Sequence, residues 1–176
     1  MKLPEAPSDG VVRLRALRPG DAAAYVGAFA ADPDLARLRG LARAPDEAAF
    51  LTGLAPGDDF AELAICEAGG DALLGSVIVH SVDWRHRRGE LGYWLVPAAR
   101  GRGLATRAVR LALAWMFEDL GLERAEIATT PDNAPSLALA RRLGFAEEGL
   151  LRGRDVEEWR RVDVVVLGLL RADWRP

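Results

Sequence analysis

Arg100-Gly101-Arg102-Gly103-Leu104-Ala105-Thr106 sets two glycines and two arginines on the lip of a helix-like run. Glycine lets backbone N–H groups approach an anion closely, and the unpaired N–H groups of a helix start attract negative charge. The chemistry on offer is the binding of a polyphosphate. A P-loop would need G-x-x-x-x-G-K-[ST], and here both the lysine and the spacing are missing. A dinucleotide fingerprint would need G-x-G-x-x-G. Gly101 to Thr106 puts threonine at the third glycine, and the unit lies mid-chain after a hairpin, without a second mononucleotide half. The remaining pattern, Arg-x-x-Gly-x-Ala, is met by Arg100, Gly103 and Ala105.

The elements that must hold this loop follow from periodicity. Val12 to Ala16 alternates with period two and reads as a strand. Arg18-Pro19-Gly20-Asp21 is a turn ending in a helix cap. Ala-rich helix follows over Ala22–Ala30, and Asp32-Pro33-Asp34 breaks it. Short helical pieces are expected over 35–38 and from Pro45 toward Leu54. Phe60–Glu67 and Ala72–Val82, joined by Gly69-Gly70-Asp71, read as an antiparallel hairpin. Glu90–Val96 is a further strand. Helix is expected over 103–119 with Gly121 as its stop, strand over 124–129, helix over 133–143, and a closing strand pair over 145–153 and 162–170. The strand–helix–strand unit over 90–130 is expected to be parallel and right-handed. The predicted fold class is therefore α/β: a mixed, mostly antiparallel sheet with helices on both faces.

With 176 residues, 28% of them charged, and a net charge of −3, the chain reads as one soluble domain over 1–176. Nothing pulls it globally toward nucleic acid or anionic lipid, so neither is expected as a partner. No run reaches the roughly 18 apolar residues that span a bilayer. Residues 1–10 are polar and proline-containing, without the apolar run of a signal peptide, and are expected to be flexible. The lone Cys66 excludes an intrachain disulfide and fits a cytoplasmic location; within Ala64-Ile65-Cys66 it reads as inert core. His80 and His86 are too isolated for a metal site, and none is expected. His80 reads as a strand-end residue or as lining for a cleft. The basic turn 85–88 reads as solvated.

In its setting of strand, Pro97, loop and helix, the Arg100–Ala105 pattern resembles the GNAT N-acetyltransferase superfamily. Glu90-Leu91-Gly92-Tyr93-Trp94-Leu95-Val96-Pro97 resembles the strand before the family's loop. Asp132-Asn133-Ala134-Pro135-Ser136 with Gly144-Phe145 resembles the following helix, and Leu170 to Trp174 a common ending. The similarity is greatest to the branch that acetylates ribosomal-protein alanine or serine N-termini. It implies acetyl-coenzyme A as cosubstrate, its pyrophosphate held by the backbone N–H groups of 101–106 with charge from Arg100 and Arg102. It implies a bulge in 90–96 and a splay from the next parallel strand. There the pantetheine arm would lie, with N–H groups near Trp94, Leu95 and Val96 polarising the acetyl carbonyl. Leu95 and Val96 also read as plain core strand.

Acetyl transfer to an amine needs a fixed thioester, a polarised carbonyl, a base, and an acid for the leaving thiolate. Glu90 is the candidate base, directly or through water; it also reads as a strand-edge glutamate paired with Arg87 or Arg88. Asn133 is given a coenzyme contact by the resemblance, although Asp132 or Asn133 also suits a helix cap. Many members carry an acidic tyrosine on this helix. This chain has only Tyr25 and Tyr93, both elsewhere, and Ser136 matches the serine of the nearer branch. Ser136 also reads as a first-turn serine bonding backbone.

The acceptor region is expected between 31 and 57 on one side and 153–161 on the other, with Asp32, Asp34, Asp46, Glu47, Asp58, Asp59, Asp155, Glu157 and Glu158 drawing a cationic amine. A protein N-terminal α-amine is the favoured acceptor. Small amines, amino antibiotics and a catalytically idle acyl-coenzyme A sensor stay open, as does a homodimer.

Overall fold

The computed structural model describes residues 1–32, 34–38, 44–157 and 159–176. Pro33 of the expected helix break and Glu158 of the expected acidic rim lie outside the described residues. One seven-stranded sheet organises the chain: β1 (Val12–Ala16), β2 (Ala61–Glu67), β3 (Gly75–Asp83), β4 (Arg88–Leu95), β5 (Arg124–Thr129), β6 (Ala146–Glu157) and β7 (Arg160–Leu170), in the spatial order β1-β2-β3-β4-β5-β7-β6. Every neighbouring pair is antiparallel except β4–β5, which is parallel, as the strand–helix–strand spacing predicts.

Strand side chains alternate between faces, and the strands β2 and β3 are buried on both, whereas the edge strand β6 is exposed. Leu91 and Leu95 of β4, Val77 and Val79 of β3, and Ile127 of β5 join one core. α4 (Leu104–Ala114) covers that core with Leu104, Ala108, Val109, Ala112 and Leu113, the one-sided spacing of a packed helix. α4 ends in a π-helical turn, Trp115–Asp119, whose first three residues are all buried; the wider turn seats three consecutive large side chains in the core. Gly121 then stops the helix at φ +67°.

The opposite face carries α1 (Ala22–Ala31), α2 (Asp34–Leu38) and α3 (Glu47–Thr52). Its core is aromatic. Trp94 meets Tyr25 and Phe29 edge-on at centroid distances of 5.4 and 5.5 Å, and Tyr25 lies 4.7 Å from Phe50. Alternation of β4 thus sends Leu91, Tyr93 and Leu95 toward α4, and Glu90, Gly92 and Trp94 toward α1 and α3. α5 (Ala134–Arg142) follows β5.

Three local expectations change. The Asp21 carboxylate does not cap α1; it accepts the Arg18 amide at 2.8 Å and the two terminal guanidinium nitrogens of the buried Arg15 at 2.7 and 2.8 Å. The bulge expected in 90–96 lies instead on β3, where the register slips between His80 and Asp83 opposite Glu90 and Arg88, with Ser81 at φ +52°. Residues 1–10 are tied down: Met1 donates its ammonium to Gly57 O at 2.7 Å, Leu14 donates to Pro7 O at 2.9 Å, and Arg107 reaches Asp9 at 2.7 Å.

Candidate active site

β4 and β5 pair through only three positions, Arg88–Arg124, Gly89–Ala125 and Glu90–Glu126. Beyond Glu90, β4 stays with β3 while β5 stays with β7, so the two parallel strands open a wedge. Backbone direction decides what lines it. Val96 donates to Leu74 O at 2.8 Å. Amides alternate along an antiparallel ladder, so those of Trp94 and Val96 turn to β3, and those of Tyr93 and Leu95 turn to the opening. This corrects the expectation that Trp94 and Val96 offer exposed N–H groups there. Leu95 keeps that place, while its carbonyl accepts Arg100 Nε at 3.0 Å.

The wedge leads to the loop before α4. Gly101 and Gly103 sit at φ +73° and +75°, and an added Cβ at either would meet no atom within 4 Å. Conformation rather than crowding calls for glycine, since a left-handed turn costs other residues about 1–2 kcal/mol. Gly103 caps α4 without a side chain, and the first amide bonded back into the helix is Arg107, to Gly103 O. The amides of Leu104, Ala105 and Thr106 therefore have no intrahelical acceptor.

The loop arginines differ from expectation. Arg100 pairs with Asp32 at the end of α1, and Arg102 with Glu67 at 2.7 Å, so each brings its own counter-charge. Positive charge concentrates one turn on. Gly103, Thr106, Arg107, Arg110 and Arg142 line a cavity of about 310 Å³ together with Asp9. Asp9 pairs with Arg107, while Arg110 and Arg142 have no carboxylate partner among the described residues. Position along α4 and α5 brings these arginines together, and no local motif announces them.

Across the wedge, Tyr93 of β4 donates its hydroxyl to Ser136 Oγ of α5 at 3.1 Å. Burial pushes the Tyr93 phenol up, and the Ser136 hydrogen bond opposes this in part. Asn133 caps α5, its Oδ1 accepting the Ser136 amide at 3.2 Å. The tyrosine sought on the helix is thus absent there, but another arrives from the facing strand; its odd position on β4, shared with Leu91 and Leu95, is the signal that could have found it.

On the other face, Glu90 pairs with neither Arg87 nor Arg88. Arg154 of β6 reaches it at 3.5 Å, while Arg87 holds Glu123 at 2.8 Å and Arg88 lies 3.5 Å from Glu126. Much of the expected acidic rim has structural work. Asp32 holds Arg100, Asp46 caps α3 by accepting the Ala49 amide at 2.8 Å, and Asp155 lies 3.7 Å from Arg154. A carboxylate missed by loop-based charge counting, Glu62 of β2, accepts hydrogen bonds from Tyr25 at 3.2 Å and from Ser76. It lines a cavity of about 250 Å³ with Tyr25, Phe50 and Phe60.

Cys66 is fully buried and burial pushes its thiol up, which removes it as a nucleophile. Among the described residues no group of three or more His, Cys, Asp or Glu could hold a metal ion, and no helix is long and apolar enough to cross a membrane.

A splayed parallel pair leading to a helix start with free amides is the arrangement that the resemblance implies, and comparison with known proteins agrees. Residues 12–146 match the family model described as acetyltransferase (GNAT) domain, and the chain belongs to that family. It is 34% identical over 118 residues to the "Putative ribosomal N-acetyltransferase YdaF" of Bacillus subtilis strain 168, covering 65% of this chain and 64% of that protein, just under two thirds of its length. The crystal structure of a "probable" acetyltransferase (GNAT family) from Chromobacterium violaceum ATCC 12472 superposes with a TM-score of 0.86 at 34% identity, covering 99% of this chain and 90% of that one. Mycobacterium smegmatis RimJ, in complex with a coenzyme A disulfide, gives 0.81 at 25% identity, covering 93% and 83%.

Proposed function

We propose that this protein transfers an acetyl group from acetyl-coenzyme A to a primary amine, a protein N-terminal α-amine first among the candidates, by direct attack in a ternary complex. The observation that carries the reading is the wedge between β4 and β5 ending on the amides before α4. The fit is chemical. Amides of Gly101, Arg102, Gly103, Leu104, Ala105 and Thr106 suit a pyrophosphate, and the neighbouring Arg110 and Arg142 suit the further phosphate that coenzyme A carries. Leu95 N–H, turned into the wedge, suits the pantetheine arm or the acetyl carbonyl, with Trp94, Val96 and Arg100 holding that backbone in place. Asn133 sets the start of α5 beside it.

The amine nitrogen attacks the thioester carbon, forming the N–C bond. Collapse breaks the C–S bond, and the electron pair leaves on sulfur. Ser136 accepts the Tyr93 hydrogen bond, which leaves its own hydrogen to donate to that sulfur. Glu90, beside the wedge vertex on the acceptor face, receives the cationic amine, whose proton leaves directly or through water. The reading includes a single domain over 1–176, a cytoplasmic location in keeping with one buried thiol, and a homodimer, for which the exposed Leu150, Leu151 and Val156 of edge strand β6 are the surface that supports it. The cavity of Tyr25, Phe50, Phe60 and Glu62 favours a second acceptor class, small cationic amines.

The test is thiol release from acetyl-coenzyme A with a panel of N-terminal peptides, polyamines and amino antibiotics, alongside calorimetry with acetyl-coenzyme A and NAD. Amine-dependent release is expected. Binding without release for any amine would leave an acyl-coenzyme A sensor, and binding of NAD in place of coenzyme A would overturn the reading.

A further inference from the structure

The β6–β7 hairpin reaches the wedge from outside the β4–β5 pair. β5 ends at Thr129, opposite Val165 of β7, so β6 and β7 run on past it as a two-stranded arm. Regular pairing in this arm breaks between Leu151–Val164 and Asp155–Val162, where Arg152, Gly153 and Arg154 face the single Asp163. Side chains of β7 hold the bulge in shape. Asp163 accepts the Gly153 amide at 2.8 Å, and Arg161 Nη1 donates to Gly153 O at 3.0 Å. Gly153 takes φ +58°, and a Cβ there would come 3.3 Å from Arg161 Cδ. A bulge bends its strand and re-aims a side chain, and the side chain here is Arg154. On β7 the level of Glu90 is Gly168 and that of Arg154 is Asp163. In a flat sheet the two residues would stand about 20 Å apart. Arg154 Nη2 instead lies 3.5 Å from Glu90 Oε1. The arm therefore bends back over the face that carries Glu90.

The pair is loose and reachable. Its contact is long for a charged hydrogen bond, and the side chains of Glu90 and Arg154 stay 18% and 32% exposed. Glu90 Oε2 has no hydrogen bond among the described residues. The carboxylate can thus accept an ammonium on Oε2 while Oε1 still faces the guanidinium. We propose that Arg154 selects the acceptor: it donates to the carbonyl oxygen next to the reacting amine, and so favours an α-amino acyl group over an alkylamine or polyamine. The proposal rests on the acetyl-transfer reading, with Glu90 receiving the ammonium. In an α-amino acyl group one carbon separates the amine nitrogen from the carbonyl carbon, so an amine held on Glu90 brings that oxygen alongside the guanidinium. The planar fork can donate to it through one N–H and keep Glu90 through another. A polyamine presents methylenes at the same place, and the fork would lose water without gaining an acceptor. Arg154 exchanges no proton, and the acetyl-transfer chemistry is unchanged.

The test compares kcat/KM for a tripeptide with a free N-terminus and for isobutylamine, which lacks the carbonyl. Arg154→Gln should lower the peptide value at least tenfold, should not lower the isobutylamine value, and should leave acetyl-coenzyme A affinity within twofold. Glu90→Gln should lower both acceptors together. Added methylguanidinium should partly restore Arg154→Ala toward the peptide alone. A merely structural ion pair would make Arg154→Gln lower both acceptors alike, and that outcome overturns the proposal, as does a peptide value within twofold of wild type. Wild-type protein that acetylates isobutylamine as well as the peptide overturns selection by Arg154 and keeps acetyl transfer. Wild-type protein inert toward every amine overturns the acetyl-transfer reading, and the selection with it.

Discussion

Replacing Ser136 by alanine separates structure from catalysis at the wedge, because its backbone and its hydroxyl have different partners. The amide is accepted by Asn133 Oδ1 and survives the change, so the start of α5 is kept. The hydroxyl is the acceptor for Tyr93. Its loss leaves a half-buried phenol without a partner, a cost of about 1–3 kcal/mol, toward the lower end here because water has partial access. For a chain of this size about 1 kcal/mol lowers Tm by about 2–4 °C. Tyr93→Phe removes the same bond from the other side, for about 0.5–1.5 kcal/mol. The double variant should then be hardly less stable than Ser136→Ala, a coupling of about 1 kcal/mol. Urea unfolding of the four proteins measures it. Turnover is expected to behave differently: Ser136→Ala should lower kcat about 100-fold or more, with coenzyme affinity within twofold, and Tyr93→Phe should lower it less. Strictly additive stability losses would refute the hydrogen bond. Collapsed coenzyme affinity with residual turnover unchanged would refute the acid role.

Gly103→Val should weaken acetyl-coenzyme A binding by at least tenfold in calorimetry, through the strain of a β-branched residue at φ +75° and through a side chain directed where phosphates would lie; unimpaired binding would contradict the pyrophosphate placement. Arg110→Ala with Arg142→Ala should reduce the preference for coenzyme A over its 3′-dephospho form at least fivefold, because these cations lack carboxylate partners among the described residues. In Asp21, burial pushes the carboxyl up, but the Arg15 guanidinium and the Arg18 amide outweigh it and hold it below its ordinary value. Its stabilisation is therefore present above the unfolded value near 3.8 and is lost as pH falls through the lower folded value. Asp21→Asn should cost about 3 kcal/mol at pH 7, the cost of breaking a buried pair, and should flatten the acid-unfolding profile. The Tyr93 phenol titrates above its ordinary value near 10, so its contribution is complete below that pH and lost on rising through the folded value. Tyr93→Phe should remove that alkaline sensitivity, followed by unfolding at graded pH.

Element order and strand faces were legible because both are written in short-range periodicity. The 12–16 and 124–129 strands and the helix starts at Leu104 and Ala134 stand where alternation, glycine and the Asn133 cap put them. Elements that read correctly did not always reveal their contacts. Arg100 and Arg102 look like free charges beside an anion site, yet Asp32 and Glu67, distant in sequence, neutralise them. Tyr93 was set aside for lying on the wrong element, yet it acquires its place from Ser136 across the wedge.

By itself the sequence determined the family pattern and the helix start with unpaired amides, and it singled out Glu90, Asn133 and Ser136 as candidates, since local conformation depends on neighbours within a few positions. Tertiary structure decided which of their atoms face the opening. Val96 N–H is consumed by Leu74, so Leu95 and Tyr93 line the wedge, and Glu90 meets Arg154 rather than Arg87 or Arg88. Register is the physical reason. A strand's side chains and amides alternate with period two, so one residue of slip or one change of partner strand reverses what each position presents, and that choice is made only when the sheet closes.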